Sequence, residues 1–455
     1  MEREKLKSRL GFILISAGCA IGIGNVWKFP YITGQYGGGL FVLIYLIFLL
    51  IMGVPALTVE FTLGRAAQKS PVALYQALEK PGQKWHIHGY VAMAANYLLM
   101  MFYTVVSGWM IKYFILTANG IFEGLSPSQI GGVFDSVCAN PYVMVFYMGI
   151  TVLIGFLVCA LGVQNGLEKI SKFMMTALLV IMMTLAVNSM LLPGGDKGLE
   201  FYLRPDIKSI ANKGILNVII AAMNQAFFTL SIGIGSMAIF GSYIGKERSL
   251  MGESVSVALL DTFVALASGL IIFPACFAYN VDVDSGPKLL FVTLPNIFNN
   301  LPLGRLWGTL FFVFMTFAAL STVFGVFENI ISCFMDLFKT SRKKACFINC
   351  ILMFVLSLPC ALGFNLLSGV QPFGEGSTIL DLEDFIVSNL ILPAGAMVYV
   401  IFAVTKHGFG WENFVKEANM GKGLKVARWM RWYYTFILPV IIFGILVLGL
   451  INFFK

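Results

Sequence analysis

Long apolar runs alternate with short polar connectors along almost the whole chain. A helix needs about 20 consecutive apolar residues to cross a bilayer, so runs of this length indicate membrane spans. The pattern predicts eleven such helices, at residues 11–34, 40–65, 89–117, 142–161, 168–192, 215–242, 254–279, 305–337, 345–363, 382–405 and 432–453.

Composition supports a chain that is solvated mainly by lipid. Of the 455 residues, 58% are hydrophobic and 12% are charged, whereas a soluble domain carries roughly 25% charged residues. The apolar runs are continuous, which favours helices over the short alternating strands of an outer-membrane barrel. We therefore predict an all-α polytopic membrane protein with a single transmembrane domain over residues 1–455.

Lysine and arginine are distributed unevenly between alternate connectors. If the N-terminus is inside, the inner connectors carry 20 of these residues and the outer connectors carry 6. This asymmetry predicts a cytoplasmic N-terminus and an extracellular C-terminus. The short termini and the absence of an organelle signal favour a location in the cell membrane. The net charge of +8 is then a signal of topology and does not indicate nucleic-acid binding. The sequence makes no prediction of oligomeric state.

The motif Ile-Gly-Ile-Gly occurs twice, in CAIGIGN (19–25) and in LSIGIGS (230–236). Glycine inside a helix costs roughly 1 kcal/mol relative to alanine. Non-helical backbone is tolerated at membrane depth where it lines a cavity or is buried in protein, and its freed groups can bind ions. We predict that the first and sixth spans are broken. The alternative is that these glycines only allow close helix packing.

The two breaks lie at corresponding places in two five-span halves, at about 11–192 and 215–405, with 432–453 as an extra helix. Such matched interruptions are typical of inverted-repeat secondary transporters.

Several further motifs occur in order along the chain: GNVWKFPY (24–31), GGG (37–39), VPALTVEFTLGR (54–65), QAFFTLSIGIG (225–235) and AALSTVF (318–324). Together they resemble the neurotransmitter:sodium symporter family, in its bacterial, eleven-span, amino-acid-transporting branch. The resemblance implies sodium-coupled symport of an amino acid, with alternating access around a site at the membrane midplane.

The resemblance also implies two sodium sites. Carbonyl, amide, hydroxyl and carboxylate oxygens suit a hard cation, and the implied residues carry these groups. Without the resemblance, the adjacent hydroxyls of a Ser-Thr pair would more often bond to a carbonyl of their own helix. The first site comprises Ala20, Asn25, Thr229 and Asp261, and the second comprises Gly18, Ile21, Ala318, Ser321 and Thr322.

Asp261 is a lone carboxylate in an apolar span, which by default marks a functional site. Many animal relatives have Asn at the matching position and need chloride. A fixed carboxylate would supply that negative charge, so we expect chloride-independent transport. The alternative is a neutral Asp that serves packing.

The substrate residues implied by the resemblance include no charged side chain, which favours a hydrophobic or aromatic L-amino acid. Gly22 stands where monoamine-transporting relatives have Asp, so a substrate with its own carboxylate fits better. The implied residues are Ala20, Ile23, Gly24, Leu99, Tyr103, Phe228, Thr229, Ser231, Ile234, Thr322 and Val326.

Paired charges match the gates of the family. Lys28 replaces the usual Arg of the outer gate and cannot make its bidentate contact, so this gate is expected to be looser. A charged terminus opposite a loop acid is otherwise usually a solvated surface pair. The matching residues are Lys28 and Asp384 outside, and Arg3 and Asp336, supported by Ser242 and Tyr243, inside.

Two other positions concern the broken helices and the inner exit. Glu60 is expected to hydrogen-bond the broken sixth span. In the fifth span, many relatives have a proline ten residues after a glycine, which helps the helix to unwind. Here Gly166 is followed at that spacing by Thr176, so either the helix unwinds by another route or inward release differs.

Other functional classes fit the sequence less well. The intramembrane acids Glu60, Asp261 and Glu328 have no evident nucleophile or metal partner, so we predict that the chain is not an enzyme. A passive channel is a second alternative. Accumulation of substrate against a gradient would exclude it, because a channel can only dissipate a gradient. A sodium-dependent amino-acid sensor without turnover is retained as the alternative function.

Overall fold

The computed structural model describes residues 4–207, 214–279 and 289–453. Within these ranges all regular structure is helical, except for one isolated bridge between Arg248 and Lys422. Nine of the helices described are long and apolar enough to cross a membrane. They are Gly39–Ala67, His86–Ala118, Pro141–Ala160, Val163–Met190, Leu250–Ala278, Gly304–Phe338, Arg342–Leu362, Ile379–Val404 and Met430–Ile451.

The remaining two predicted spans are interrupted helices. The first broken helix consists of Arg9–Ala20 and Gly24–Gln35, bent by 59°. The second broken helix consists of Ile215–Phe228 and Ser236–Gly241, with non-helical backbone at 229–235. Both interruptions fall on the repeated Ile-Gly-Ile-Gly motif. The short helices outside the spans are Pro71–Leu78, Pro127–Ala139, Asp196–Leu203, Leu289–Asn299 and Trp411–Ala418.

Widened, π-helical turns recur along the chain, and most of them precede a proline. Proline has no N–H, and its ring collides with the carbonyl four residues earlier. A turn with one extra residue relieves that collision while the helix continues. Five such turns each end two residues before a proline: Gly24–Lys28, Leu49–Gly53, Leu289–Thr293, Ile386–Ile391 and Tyr433–Ile437.

The GGG motif lies against the short helix Asp196–Leu203. Gly38 has φ +64°, and a Cβ there would lie 2.2 Å from the carbonyl oxygen of Phe201. A Cβ at Gly39 would lie 2.8 Å from the backbone of Arg204. These glycines therefore let the short helix Asp196–Leu203 pack directly on the backbone that precedes Gly39–Ala67.

The first broken helix lies at the centre of the molecule. Its half Arg9–Ala20 packs against both Leu250–Ala278 and Gly304–Phe338. The contact with Gly304–Phe338 is close because Gly325 has no side chain, and a Cβ there would lie 2.6 Å from Cys19 Sγ. The break is thereby placed between the helix that carries Asp261 and the helix that carries Ser321 and Thr322.

We expect Gly38→Ala to destabilise the protein by about 1–3 kcal/mol, the usual cost of overpacking, beyond the strain of a positive φ. Gly374→Ala is the matched control because Gly374 has φ +99° but open space around it. The measurement is thermal unfolding in detergent. Equal effects of the two substitutions would show that the contact with Phe201 is not restrictive.

Candidate functional site

The first candidate ion cluster joins three elements at the helix breaks. The Asp261 carboxylate accepts from the Asn25 amide at 2.8 Å through Oδ1 and from the Thr229 hydroxyl at 2.9 Å through Oδ2. All three side chains are at most 1% exposed. Carboxylate, amide and hydroxyl groups offer the oxygen donors that a hard cation prefers. The structure thus brings these three predicted residues together, and Ala20 lines the adjoining cavity.

The same cluster fixes the backbone of the first break. The amide N–H of Gly22 donates to Asn25 Oδ1 at 3.3 Å. The Ser268 hydroxyl donates to the Asn25 carbonyl at 2.7 Å. Helix Leu250–Ala278 therefore holds the broken segment through both a side chain and a backbone group.

The second candidate ion cluster lies where Gly304–Phe338 crosses the first break. The hydroxyls of Ser321 and Thr322 lie 3.4 and 3.3 Å from the Ile21 carbonyl oxygen. Ser321 also bonds to the Ala318 carbonyl of its own helix at 2.8 Å. A Cβ at Gly18 would lie 3.3 Å from Ser321 Cβ. The five predicted residues are therefore neighbours, and one hydroxyl also makes the intrahelical bond of the alternative reading.

A small cavity of about 30 Å³ adjoins both clusters. That volume accommodates roughly one or two water molecules. Nine of the eleven predicted substrate residues line it, whereas Ile23 lines the space above and Val326 is fully buried outside the lining. The lining residues are Ala20, Gly22, Gly24, Asn25, Leu99, Tyr103, Phe228, Thr229, Ser231, Ile234, Thr322 and Leu392.

An outer vestibule of about 240 Å³ lies beyond this cavity. Tyr103 and Phe228 line both spaces and so separate them. The Tyr103 hydroxyl accepts from the Ile23 amide at 3.1 Å. A Cβ at Gly24 would lie 2.7 Å from the Phe228 ring, so glycine lets the ring lie against the broken backbone.

The predicted outer gate residues share the vestibule without forming an ion pair in the described part of the chain. The Lys28 ammonium lies 4.0 Å from the centroid of the Phe228 ring, a cation–π contact. Asp384 instead accepts from the Ser388 hydroxyl at 2.7 Å.

The predicted inner gate is described only in part, because Arg3 lies outside the described residues. Asp336 accepts from the Ser70 amide at 2.8 Å. The Ser242 hydroxyl bonds to the Ile239 carbonyl of its own helix at 2.6 Å.

Tyr243 contacts the buried ion pair of Glu328 and Arg342, which was not predicted from the sequence. Its hydroxyl donates to Glu328 at 2.6 Å, and Glu328 pairs with Arg342. Arg342 also donates to the Cys159 carbonyl at 2.7 Å. Glu328 therefore has a partner that the sequence did not reveal, because Arg342 reaches it from the start of the following helix.

The backbone freed in the second broken helix has its own partners. The Gly233 amide donates to Glu60, as expected from the sequence. The Ile234 carbonyl accepts from Asn96 at 2.8 Å and from Asn329 at 3.3 Å. These two asparagines were not predicted as partners of the break, although an amide side chain within an apolar helix is a sequence signal that points to such a role.

The glycines of the second motif are needed both for a positive φ and for close packing. Gly233 and Gly235 have φ +108° and +79°. A Cβ at Gly233 would lie 2.1 Å from the Leu392 carbonyl oxygen. The break therefore uses glycine both for its backbone conformation and for close packing.

Comparison with known proteins identifies the class. The model of the sodium:neurotransmitter symporter family matches residues 3–121 and 138–455. The chain is 36% identical over 454 residues to the uncharacterized sodium-dependent transporter YhdH of Bacillus subtilis, covering 98% of both chains. It is 31% identical over 469 residues to the uncharacterized sodium-dependent transporter MJ1319 of Methanocaldococcus jannaschii, covering 99% of this chain and 91% of that one.

A solved structure shows the same architecture. The crystal structure of MhsT in complex with L-phenylalanine superposes with a TM-score of 0.87 at 37% identity, covering 98% of this chain and 99% of that chain. The chain therefore belongs to the sodium:neurotransmitter symporter family. It is a membrane transporter and not an enzyme.

We expect Arg342→Met to destabilise the protein by roughly 3–5 kcal/mol, because it leaves the Glu328 carboxylate buried and unpaired. The double variant Glu328→Gln/Arg342→Met should recover much of that loss. Thermal unfolding of the purified variants provides the measurement. A double variant no more stable than the single one would refute the role of the unpaired charge.

Proposed function

We propose that the protein is a sodium-coupled secondary active symporter of a hydrophobic or aromatic L-amino acid. The observation that carries this proposal is the cluster of Asp261, Asn25 and Thr229 beside a cavity with an otherwise mainly apolar wall. The cluster offers a sodium ion oxygen ligands, and the ion in turn would attract a substrate carboxylate. Alternating access around this cavity would couple the two fluxes.

The proposed architecture comprises eleven spans in a 5+5 inverted repeat, at about 11–192 and 215–405, followed by the extra helix at 432–453. The two broken helices at matching positions support this arrangement. The distribution of Lys and Arg supports a cytoplasmic N-terminus and an extracellular C-terminus. The proposed location is the cell membrane.

The proposed substrate class follows from the cavity wall. Leu99, Phe228 and Ile234 offer apolar surface, and no charged residue lines the cavity. MhsT was solved with L-phenylalanine, which supports a substrate of this kind. The substrate carboxylate would meet the first ion, the Tyr103 hydroxyl and the amides near Gly24. A cavity of about 30 Å³ must widen to admit such a substrate.

Two sodium ions are proposed. The first would bind between the Asp261 carboxylate, Asn25, Thr229 and the Ala20 carbonyl. The convergence of these groups from three helices supports this site. The second site is supported by the hydroxyls that face the Ile21 carbonyl. It would comprise Gly18, Ile21, Ala318, Ser321 and Thr322.

Access to the site would be controlled from both sides. Lys28 and Asp384 in the vestibule are proposed as the outer gate, with Lys28 acting on the ring of Phe228. The hydrogen bond from Tyr243 to buried Glu328 supports a role for Tyr243 in closing the cytoplasmic side. The proposed inner gate comprises Arg3, Asp336, Ser242 and Tyr243.

In proteoliposomes, we expect an inward sodium gradient to drive concentrative uptake of labelled leucine, phenylalanine or tryptophan. Replacing sodium by potassium should abolish uptake, and replacing chloride by gluconate should leave it unchanged. Sodium-dependent binding without accumulation would instead support the alternative function, an amino-acid sensor without turnover. No sodium effect on binding or uptake would refute both functions.

Asp261→Asn should reduce sodium-driven uptake in chloride-free buffer by roughly 10- to 100-fold, the usual effect of losing a bond to a charged group. The reason is that the variant keeps the shape of the side chain but removes the fixed negative charge. Asp135→Asn, which makes the same chemical change at an exposed carboxylate on the short helix Pro127–Ala139, is the control. Unchanged chloride-free uptake in Asp261→Asn would exclude charge compensation by this carboxylate.

A further inference from the structure

The Ile234 carbonyl is held by a buried pair of carboxamides. Its neighbours Gly233 and Gly235 both have positive φ, so the carbonyl lies outside the helical ladder. Asn96 donates to it at 2.8 Å and Asn329 donates to it at 3.3 Å. Asn329 also donates to Asn96 Oδ1 at 3.0 Å. The two asparagine side chains are at most 1% exposed.

Both the nitrogen and the oxygen of the Asn96 carboxamide have two hydrogen-bond partners. Its nitrogen also donates to the Ala92 carbonyl at 2.6 Å, and its oxygen also accepts from the Ser236 hydroxyl at 3.3 Å. Because each of these groups is buried, breaking one bond leaves a polar atom without water to replace its partner. The pair therefore holds the Ile234 backbone in one place.

The pair lies one helical turn from the pocket wall. Asn96 is three residues before Leu99 on helix His86–Ala118, and residues at this spacing share a helix face. Leu99 and Ile234 both line the cavity. The Asn96–Asn329 pair lies outside the cavity lining and holds the backbone of Ile234, whose residue forms part of the cavity wall.

We propose that Asn96 and Asn329 are positioning residues that set the largest substrate side chain the pocket accepts. They do so by preventing the Ile234 segment from retreating. This inference rests on the proposed function, since it assigns a size limit to the same pocket. If either bond to the carbonyl is lost, the segment gains freedom to move away from a large side chain.

The test compares three Asn→Leu variants, which keep the number and branching of the side-chain heavy atoms and remove the amide. Asn96→Leu removes the shorter bond and the partner of Asn329, so its effect should be the largest. Asn329→Leu leaves the Asn96 bond intact and should have a smaller effect. Asn349→Leu is the matched control, because Asn349 is equally buried but bonds to Tyr97 and the Ala345 carbonyl.

The first measurement is competition by tryptophan against labelled leucine for sodium-dependent binding. We expect the tryptophan-to-leucine affinity ratio to rise about tenfold in Asn96→Leu, the scale at which a pocket senses roughly one methylene. It should rise less in Asn329→Leu and stay at the wild-type value in Asn349→Leu. Equal changes for both ligands would indicate a merely structural role and would overturn the inference.

The second measurement needs no substrate and separates this inference from the proposed function. Hydrogen–deuterium exchange of peptides covering 229–236 should be faster in Asn96→Leu than in wild type or Asn349→Leu. Unchanged exchange would overturn the inference even if wild-type transport is confirmed. Faster exchange together with no amino-acid binding by the wild type would support the positioning role and refute the proposed function instead.

Discussion

Two interrupted helices inside an apolar interior impose one physical constraint: each backbone group that leaves the helical ladder needs another partner. At the first break, the hydroxyls of Ser321 and Thr322 face the Ile21 carbonyl. At the second break, Glu60 receives the Gly233 amide. The surrounding helices therefore carry polar side chains at the positions that face the freed backbone groups. The ion clusters and the cavity arise from the same demand.

This arrangement gives a physical basis for coupling in the proposed function. Asn25 belongs to one broken helix, Thr229 ends the first half of the other, and both bond to Asp261 of a third helix. Asn25 presents its nitrogen to the carboxylate, while its oxygen accepts from the Gly22 amide. A cation beside Asp261 would need the oxygen of Asn25 instead. Ion binding would thus exchange bonds at the break itself, where the substrate is proposed to lie.

Much of the fold was predictable because lipid imposes a simple length rule. The nine described spans begin and end within five residues of the predicted boundaries, and both breaks fall on the repeated motif. The location of Asp261 beside Asn25 and Thr229 followed from matching family motifs. These are features that act locally or that a family pattern carries.

The partners at the breaks were harder to predict because they come from distant parts of the sequence. Arg342 reaches Glu328 across a helix reversal, and Asn96 reaches Ile234 across 138 residues. In each case the sequence shows a buried polar residue but not which group it satisfies. Likewise, the sequence suggested Asp384 as the partner of Lys28, whereas the ammonium lies over an aromatic ring. Both charges are half-buried in the vestibule wall, where an aromatic face can contact the ammonium as well as a carboxylate can, so pairing rules alone do not select the partner.

The fifth span begins with a widened helical turn that bonds to the start of the first broken helix. It lacks the proline pattern of many relatives, yet it begins with a widened turn, Val163–Glu168, directly after Gly162 at φ +94°. Glu168 in that turn accepts from the Lys7 amide at 2.9 Å and from the Ser8 hydroxyl at 3.0 Å. Single π-helical turns of this kind are frequent at functional sites, and the Glu168 carboxylate bonds this one to the start of the first broken helix. Movement of either element away from the other must therefore break charge-assisted hydrogen bonds, so the two elements are mechanically linked at this end of the molecule.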